Sequence, residues 1–295
     1  MEKPVCPLCG SKSPCAIYNN VRHSNGASIV KCPDCSLVFQ HPLMCETAER
    51  DFYERQFPEY MKQRGAAGET EPAKHYHINQ GEAARRLKYV EKYLKPEHEV
   101  LELGSSTGYF IGHIKQLVRS VTGVEPGEQY REYANGAGIK THPAIGDIKG
   151  NKYDVIFSFY VFEHLRNPVA FLKDLGQYLK PEGTIIFEVP NVDDALVSFY
   201  AIPELFDFYW QVAHYFYYSA KTLENAFRNG GYEKSEIIHS QRYDISNHLH
   251  WLKEKKPGGM GKYADIFDEA ANSAYKECLI RKGISDTVTI VAKLK

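Results

Sequence analysis

The segment Val100–Gly108, which reads Val-Leu-Glu-Leu-Gly-Ser-Ser-Thr-Gly, limits the possible folds of this chain more than any other. An apolar run ends at Leu103, and glycines follow at Gly104 and Gly108. The apolar residues after them recur at intervals of three and four, as on one face of a helix. The pattern predicts a strand, a glycine-rich turn and a helix. Because glycine has no side chain and a helix N-terminus presents unpaired N–H groups, such a turn lets the backbone approach a ligand closely.

The glycine spacing argues against two familiar nucleotide sites. Gly104 and Gly108 form G-x-x-x-G, which is not the G-x-G-x-x-G of dinucleotide-binding folds, and no Gly-Lys-Ser/Thr follows as a P-loop requires. Acidic residues stand at the strand ends instead. Glu102 precedes the first glycine by two residues, and Glu125 closes the next apolar run. A carboxylate at that second position can accept two hydrogen bonds from a ribose diol.

The order and spacing of these and later motifs resemble those of class I S-adenosylmethionine-dependent methyltransferases. The motifs that carry the resemblance, from about residue 78 to about residue 240, are Glu102-x-Gly104-x-x-x-Gly108, Glu125, Gly146-Asp147-Ile148, Tyr153–Leu165 with its Glu163-His164-Leu165 end, and Leu179–Phe187. Ser106 stands where the family usually has a third glycine, and its small side chain should fit. The resemblance implies an α/β fold with a doubly wound, Rossmann-like sheet of seven strands, mostly parallel, with the last strand antiparallel.

The resemblance also implies a role for each matching residue. Glu102 would contact the methionine end of S-adenosylmethionine indirectly or through water, Glu125 would hold the ribose hydroxyls, and Asp147 with Ile148 would hold the adenine. The residues expected to line the cofactor are Gly104, Ser105, Ser106, Gly108 and Tyr160, of which Tyr160 is also a candidate for the acceptor side. The product would be S-adenosylhomocysteine. The alternative is an ordinary doubly wound domain with incidental acids at its strand ends.

Two C-x-x-C pairs mark the N-terminal segment 1–45 as a small unit. Cys6 and Cys9 are followed after 22 residues by Cys32 and Cys35, a spacing close to that of a four-thiolate structural zinc site. A segment this small cannot bury enough apolar surface to fold alone, so we expect zinc to stabilise it. Four thiolates leave no open coordination position, which predicts a structural metal without a catalytic role. A redox dithiol pair and iron are the alternatives.

This segment resembles the N-terminal zinc ribbon of methyltransferases from sugar, capsule and antibiotic biosynthesis. Cys32-Pro-Asp-Cys35 runs on into Ser-Leu-Val-Phe-Gln-His-Pro, and an aromatic segment follows at Asp51-Phe-Tyr-Glu. The resemblance implies a sugar or other small-molecule acceptor. We expect residues 46–78 to be a linker or a lid over the cofactor, and 79–295 to form the methyltransferase domain. An insertion at 246–285, with a predicted helix Tyr263–Arg281, would be a cap or the contact of a homodimer.

The composition limits the partners and the location. The chain has 295 residues, a formal charge of −1 and a pI near 6.9, so it lacks the basic excess of a protein that binds nucleic-acid phosphates. It contains no run of 18 apolar residues and no signal-peptide pattern at its start. We therefore expect a cytoplasmic protein that is not embedded in a membrane, with nucleic acid disfavoured as a partner.

Two histidines are candidates for the base that removes a proton from the acceptor. His164 follows the fourth strand, and His214 precedes the helix after the fifth, where ligands of such sheets bind. The segment around His214 partly resembles the histidine-aromatic-serine stretch of sugar C-methyltransferases. Those enzymes have a glutamate where this chain has Ala213, and they carry a further C-terminal domain that 295 residues do not accommodate. Both differences favour O-methylation over C-methylation.

Three other functions remain open from the sequence. They are a C-methyltransferase acting on a keto-sugar, an RNA methyltransferase, and a non-catalytic interaction protein that binds the cofactor and carries a zinc ribbon. The RNA alternative arises because some ribosomal RNA guanine methyltransferases also join a zinc module to this fold. The small number of basic residues in the ribbon argues against RNA binding. They are Lys3, Lys12, Arg22 and Lys31.

Overall fold

The computed structural model describes residues 3–24, 26–56 and 71–295. The strands, in chain order, are β1 Cys15–Tyr18, β2 Ser28–Lys31, β3 Val38–His41, β4 Glu99–Leu103, β5 Ser120–Val124, β6 Thr141–His142, β7 Tyr153–Phe159, β8 Leu179–Pro190, β9 Phe216–Tyr217, β10 Tyr232–Ser240 and β11 Thr287–Leu294. The α-helices are α1 Glu46–Asp51, α2 Pro72–Ile78, α3 Gln80–Val90, α4 Tyr109–Ile114, α5 Glu128–Gly136, α6 Pro168–Leu175, α7 Ala195–Ser198, α8 Pro203–Tyr209, α9 Ala220–Asn229, α10 Ile245–Glu254 and α11 Glu269–Lys282.

Seven strands of the described chain form the main sheet in the order β10-β11-β8-β7-β4-β5-β6. Strands β4 to β8 pair in parallel, whereas β11 is antiparallel to both β8 and β10. The predicted mostly parallel sheet with an antiparallel last strand is therefore confirmed. The strand order reverses between β4 and β7, and in open α/β sheets the crevice at that reversal is where ligands bind.

The central strand shows why this sheet is buried on both faces. Every residue of β7 is buried except Asp154, which lies near its start. Side chains alternate between the two faces, so Ile156 joins one core cluster while Val155 and Phe157 join the other. Helices cover both faces, as expected for parallel strands joined by crossovers. The predicted strand, glycine-rich turn and helix after Val100 are present as β4, the turn and α4.

The 246–285 insertion differs from its prediction. In place of one helix over Tyr263–Arg281, two helices form, α10 and α11. Each begins at an aspartate whose carboxylate accepts a backbone N–H three residues on: Asp244 from Asn247, and Asp268 from Ala271. Local capping thus determines where α10 and α11 begin, and the spacing of apolar residues does not reveal these positions. Asn167 occupies the N-cap position of α6 with Pro168 in the first turn, although its side chain forms no capping hydrogen bond.

The N-terminal segment is joined to the rest of the chain through a second sheet. Its strands β1, β2 and β3 are antiparallel, and β9 adds to β3 through the pairs Val38–Tyr217 and Phe39–Phe216. Cys6, Leu37 and Phe39 belong to the same core cluster as the main sheet. The predicted linker or lid begins with α1 and ends with α2, and its residues 57–70 lie outside the described part of the chain.

Candidate cofactor and acceptor site

The glycine turn adopts a backbone that ordinary residues avoid. Gly104, Ser106 and Gly108 all have positive φ, at +68°, +51° and +74°. A Cβ on Gly104 would lie 2.4 Å from Val161 Cγ2, so only glycine fits against the segment that follows β7. Ser106, which stands where the family usually has a third glycine, adopts the left-handed conformation that glycine reaches without strain. The predicted turn is thus present, and it lies at the strand reversal of the sheet.

Glu125 connects the end of β5 to this turn. Its carboxylate accepts the backbone N–H of Ser106 at 2.8 Å and that of Gly127 at 2.7 Å. Burial raises the pKa of the Glu125 carboxyl, although the two N–H groups favour its charged form. The side chain is only partly buried. It therefore presents an acceptor group beside the turn, where the sequence predicts the ribose hydroxyls.

Glu102 is a buried acid on β4, two residues before the first glycine of the turn. It is 2% exposed, and its Oε2 has no hydrogen-bond partner among the described residues. Burial raises the pKa of this carboxyl to about 8, and the charge of Arg86 lowers it only in part. A buried acid with unused acceptor capacity is costly unless a proton or a cation balances it. The environment of Glu102 therefore suits a positively charged ligand.

Helix α2 covers the glycine turn. His75 Nδ1 lies 3.2 Å from Thr107 Oγ1, and its ring is 4.9 Å from that of Tyr130 on α5. Tyr76 packs against Gly112 of α4, where an added Cβ would lie 3.4 Å from its hydroxyl oxygen. Burial lowers the pKa of His75. The predicted role of residues 46–78 as a linker or a lid stays a prediction.

The remaining predicted cofactor residues occupy different surroundings. The exposed carboxylate of Asp147 accepts the backbone N–H of Ala144 at 3.1 Å, and Ile148 is buried in the core. The Tyr160 hydroxyl lies 2.7 Å from Thr287 Oγ1, on the β11 side of β7. Ser105, in the turn itself, is buried, and its Oγ has no partner among the described residues. Cofactor contacts of Asp147, Ile148 and Tyr160 stay predictions.

The two predicted base candidates lie together with a third ionisable residue. Ligand atoms of Glu163, His164 and His214 all lie within 4.8 Å of one another, and the two imidazole centroids are 4.8 Å apart. His164 Nδ1 lies 2.7 Å from the Ala213 carbonyl oxygen, which can only accept, so Nδ1 carries the proton and Nε2 the lone pair. That Nε2 is 3.9 Å from Glu163 Oε1. The cluster therefore offers both proton acceptors and metal ligands.

Glu163 was not predicted as a site residue, although it stands directly before His164. Its side chain is 1% exposed, and neither carboxylate oxygen has a hydrogen-bond partner in the described chain. Burial raises its pKa to about 8. Val161, which packs on Gly104, is two residues earlier, so the cluster adjoins the glycine turn. An acid within an otherwise apolar segment was the signal in the sequence.

The N-terminal segment holds the loop that carries His214. The backbone N–H of Gln40 on β3 donates to the Tyr215 carbonyl at 2.9 Å, and the backbones of Arg22 and Gln211 form a parallel bridge. Gln211 is buried, and its side-chain amide lies 3.0 Å from His214 Nε2. The loop is thus fixed on both sides of His214 by the cysteine-containing segment. These contacts join residues far apart in sequence, and no local pattern indicated them.

The four predicted metal ligands converge. Cys6 Sγ lies 3.5 Å from Cys35 Sγ, and Cys9 Sγ lies 3.5 Å from Cys32 Sγ, with all four sulfurs within 4.8 Å of one another. Sulfurs bound tetrahedrally at about 2.3 Å from zinc are about 3.8 Å apart. The donor set and its spacing therefore fit one tetrahedral zinc ion.

A buried ion-pair network beside the site was not predicted. Glu188 on β8 binds Arg85 and Arg86 of α3 at 2.9 and 3.1 Å and accepts the hydroxyl of Tyr89. Arg86 is itself buried, and it donates to the Tyr109 hydroxyl next to the glycine turn. The network fixes α3 against the ligand-binding end of the sheet. A charged residue inside the apolar strand Gly183–Val189 was its signal.

The family of methyltransferase domains matches residues 75–237, more than half of the chain. The chain belongs to this family. The matched region contains the glycine turn, Glu125 and the Glu163–His164–His214 cluster, so the prediction of a methyltransferase domain is confirmed. Within the described residues, no helix has the length and apolar character needed to span a lipid bilayer.

Curated relatives match over part of their length. A tRNA U34 carboxymethyltransferase of Campylobacter jejuni is 25% identical over 49% of this chain and 53% of the relative. A ubiquinone biosynthesis O-methyltransferase of Rickettsia canadensis is 28% identical over 36% and 51%. The C-methyltransferase NovU of Streptomyces niveus is 26% identical over 45% and 32%. The chain thus matches between a third and about half of these relatives, whose names differ in the reaction they state.

A solved structure shows the same fold. The SAM-dependent methyltransferase of Archaeoglobus fulgidus aligns with 77% of this chain and 98% of its own, with a TM-score of 0.50 and 18% sequence identity. At this identity the likeness concerns the fold alone. It supports the assignment of the main sheet and its covering helices to the methyltransferase fold.

Proposed function

We propose that the protein transfers a methyl group from S-adenosylmethionine to a sugar or another small-molecule acceptor in a biosynthetic pathway. The observation that carries this proposal is the contact between two parts of the site. The glycine turn, bounded by Glu102 and Glu125, packs on Val161, and the cluster of Glu163, His164 and His214 begins two residues further on. A cofactor pocket and a group of proton acceptors are therefore neighbours, as methyl transfer requires.

The chain's own residues would hold the cofactor as follows. Glu125 accepts hydrogen bonds from the ribose hydroxyls, with the Ser106 and Gly127 N–H groups fixing its orientation. Glu102 balances the positive charge of the methionine end, and the backbone of the glycine turn admits the ligand. When bound, S-adenosylmethionine supplies a methyl group on an electrophilic sulfonium. The buried Glu102 oxygen that has no hydrogen-bond partner among the described residues fits this group.

Methyl transfer to a hydroxyl also requires removal of its proton. His164 presents the lone pair of Nε2, because Nδ1 donates to the Ala213 carbonyl. His214 lies beside it and is held by Gln211. Either imidazole is placed to accept the proton. O-methylation is favoured because Ala213 stands where the similar sugar C-methyltransferases have a glutamate.

The N-terminal segment would bind one structural zinc ion through Cys6, Cys9, Cys32 and Cys35. Its role in methyl transfer would be to position the His214 loop through β3 and the Arg22 bridge, since the sulfurs leave no coordination site for substrate. Closely spaced thiolates that hold a metal suit a reducing compartment. The proposed location is therefore the cytoplasm.

RNA methylation is the second candidate, because one of the matched relatives is named a tRNA U34 carboxymethyltransferase. The overall charge of −1 opposes it, since RNA binding depends on neutralising phosphates. A C-methyltransferase on a keto-sugar is the third, since NovU is named a C-methyltransferase. A histidine pair of this kind can remove a proton from carbon or oxygen, so the acceptor decides between O- and C-methylation.

The test uses S-adenosylmethionine labelled in its methyl group, incubated with the full chain and with separate pools of nucleotide sugars, glycans, phenols and RNA. The expected result is label in a small-molecule pool, as an ether. His214→Ala should slow transfer by about 100-fold or more while cofactor affinity is unchanged. His113→Ala, which removes an exposed histidine from α4, should leave both unchanged. Label in RNA alone, or equal loss of cofactor binding and transfer in His214→Ala, would overturn the proposal.

A further inference from the structure

The Glu163–His164–His214 cluster has the composition of a metal site as well as of a base. It contains one carboxylate and two imidazoles, and its ligand atoms all lie within 4.8 Å of one another. Atoms bound to one ion at about 2.1 Å can be at most about 4.2 Å apart. A shift of less than about 1 Å by the side chains is therefore enough to complete the set.

The imidazole of His164 is oriented as a metal ligand requires. Histidine ligands usually donate their second ring N–H to a carbonyl or carboxylate, which fixes the ring and its tautomer. His164 Nδ1 does so to the Ala213 carbonyl at 2.7 Å, and this leaves the Nε2 lone pair 3.9 Å from Glu163 Oε1. The buried Gln211 amide nitrogen, which can only donate, lies 3.0 Å from Nε2 and 3.2 Å from Nδ1 of His214. The Ala213 contact thus orients only His164 as a metal ligand, and an ion at His214 requires the Gln211 amide to turn away from the nitrogen that binds it.

Glu163 supplies an independent observation. It is 1% exposed, and both oxygens lack a hydrogen-bond partner among the described residues. Leaving a buried carboxylate unsatisfied is costly, and such a group in a folded protein indicates a missing partner such as a water or an ion. Arg166, three residues away, binds Glu49 and the Met44 carbonyl instead. The carboxylate of Glu163 therefore has acceptor capacity for a cation in the cluster.

We propose that Glu163, His164 and His214 bind one divalent transition-metal ion, separate from the four-cysteine cluster, and that its open coordination positions take an oxygen of the acceptor. Two imidazoles and one carboxylate suit Mn²⁺, Fe²⁺, Co²⁺ or Zn²⁺ and disfavour Mg²⁺ and Ca²⁺, which prefer oxygen ligands. The proposal that an ion binds depends on the cluster alone. The proposal that this ion takes an oxygen of the acceptor also depends on the proposed methyl transfer. A histidine bound to the ion no longer serves as a base; in the metal-bound form the ion would lower the pKa of the bound hydroxyl, and its proton would pass to water.

The test titrates the full chain with Mn²⁺ and follows free Mn²⁺ by electron paramagnetic resonance. Mn²⁺ is chosen because thiolates select softer metals, so the cysteine cluster does not compete for it. The expected result is one Mn²⁺ per chain. His214→Ala and Glu163→Gln should each weaken binding by at least about 10-fold. Two controls should retain the wild-type affinity: His113→Ala, which removes an exposed histidine, and Cys15→Ser, which removes an exposed thiol.

Two results would overturn the inference: no Mn²⁺ bound by the wild-type chain, or binding that is unchanged in both His214→Ala and Glu163→Gln. If Glu163→Gln fails to fold, His214→Ala decides, because that side chain is only partly buried. Transfer of labelled methyl is measured in parallel. Methyl transfer without Mn²⁺ binding would contradict the metal site but not the proposed function with a histidine as base. Mn²⁺ binding without transfer to any pool would support the metal site and contradict the proposed function.

Discussion

The backbone N–H of Ser106 donates a 2.8 Å hydrogen bond to the Glu125 carboxylate, and this bond ties the glycine turn to the end of β5. It joins the two parts of the chain that the methionine and ribose ends of the cofactor would contact. Ser106 reaches this position with a φ of +51°, in the left-handed region. The turn and the acid are thus one unit, and a change at either should alter cofactor binding.

Glu125→Ala should weaken binding of S-adenosylmethionine by about 10- to 100-fold, since it removes hydrogen bonds to a charged acceptor worth roughly 1.5–3 kcal/mol. Calorimetric titration measures the change. Glu128→Ala is the matched control, because Glu128 is an exposed acid three residues on and its removal makes the same change in charge. Equal losses in the two variants would show that net charge, and not the ribose contact, is responsible.

Gly104→Ala should destabilise the turn and weaken cofactor binding by at least about 10-fold. The left-handed conformation costs a non-glycine residue roughly 1–2 kcal/mol, and the new Cβ would meet Val161. Gly136→Ala, at the end of α5, has open space around its new methyl group and should stabilise the fold by up to about 1 kcal/mol. Thermal unfolding and calorimetry follow both variants. Opposite signs are expected, and a neutral Gly104→Ala would contradict the close contact.

The affinity for S-adenosylmethionine should rise with pH up to about 8. Burial raises the pKa of the Glu102 carboxyl to about 8, so the free protein holds it protonated at neutral pH. A cationic ligand favours the carboxylate, which requires release of that proton, and affinity therefore falls below this pKa by up to about tenfold per pH unit. Titrations at several pH values test this. Glu102→Gln should remove the slope; an unchanged slope in that variant would assign the titration to another group.

Stability should fall in acid because of Glu188. Burial opposes its ionisation, but Arg86 and Arg85 outweigh that effect and hold its pKa at about 2. A lowered pKa in the folded state stabilises the protein above the ordinary value, and this contribution is lost as pH falls from about 4.5 towards 2. Glu188→Ala should cost about 3–5 kcal/mol at neutral pH, because it leaves two buried guanidinium groups without their partner. Chemical denaturation measures this, with the exposed Glu91→Ala as control; similar losses in both would contradict the buried pair.

Cys32→Ser should release zinc and slow methyl transfer while leaving cofactor affinity within about twofold. The reason is that β3 and the Arg22 bridge hold the His214 loop, whereas the cofactor residues lie on β4, β5 and the turn between them. Cys15→Ser removes an exposed thiol outside the cluster and should change neither property. Metal analysis, transfer rates and calorimetry are compared. If zinc is lost while the rate of methyl transfer is unchanged, the claim that the ribbon positions the His214 loop is contradicted.

The local part of the site could be predicted from the sequence. The glycine turn, the acid at the end of β5 and the cysteine pairs are short patterns whose spacing reflects backbone geometry or metal chemistry, and the structure brings each together. The central strand β7 can also be recognised from the sequence, because its apolar residues occupy both faces. Ser219, a common N-cap residue, accepts the N–H of Thr222 at the start of α9.

Contacts between distant segments could not be predicted in this way. The pairing of Gln40 with Tyr215, which holds the His214 loop, depends on how the second sheet meets the main one. The association of Arg86 with Glu188 requires that α3 lie across β8. Glu163 was passed over because its significance comes from burial without a partner, which only the folded chain reveals. The two helices of the insertion were missed because their boundaries depend on local capping by aspartates.

A calorimetric titration of the full chain with S-adenosylmethionine, S-adenosylhomocysteine and NAD would decide whether the glycine turn is a methyl-donor site. We expect one site per chain for each of the two sulfur-containing nucleosides, weakened in Gly104→Ala, and no binding of NAD. Absence of heat with both nucleosides, together with saturable binding of NAD, would contradict the proposed function at its foundation.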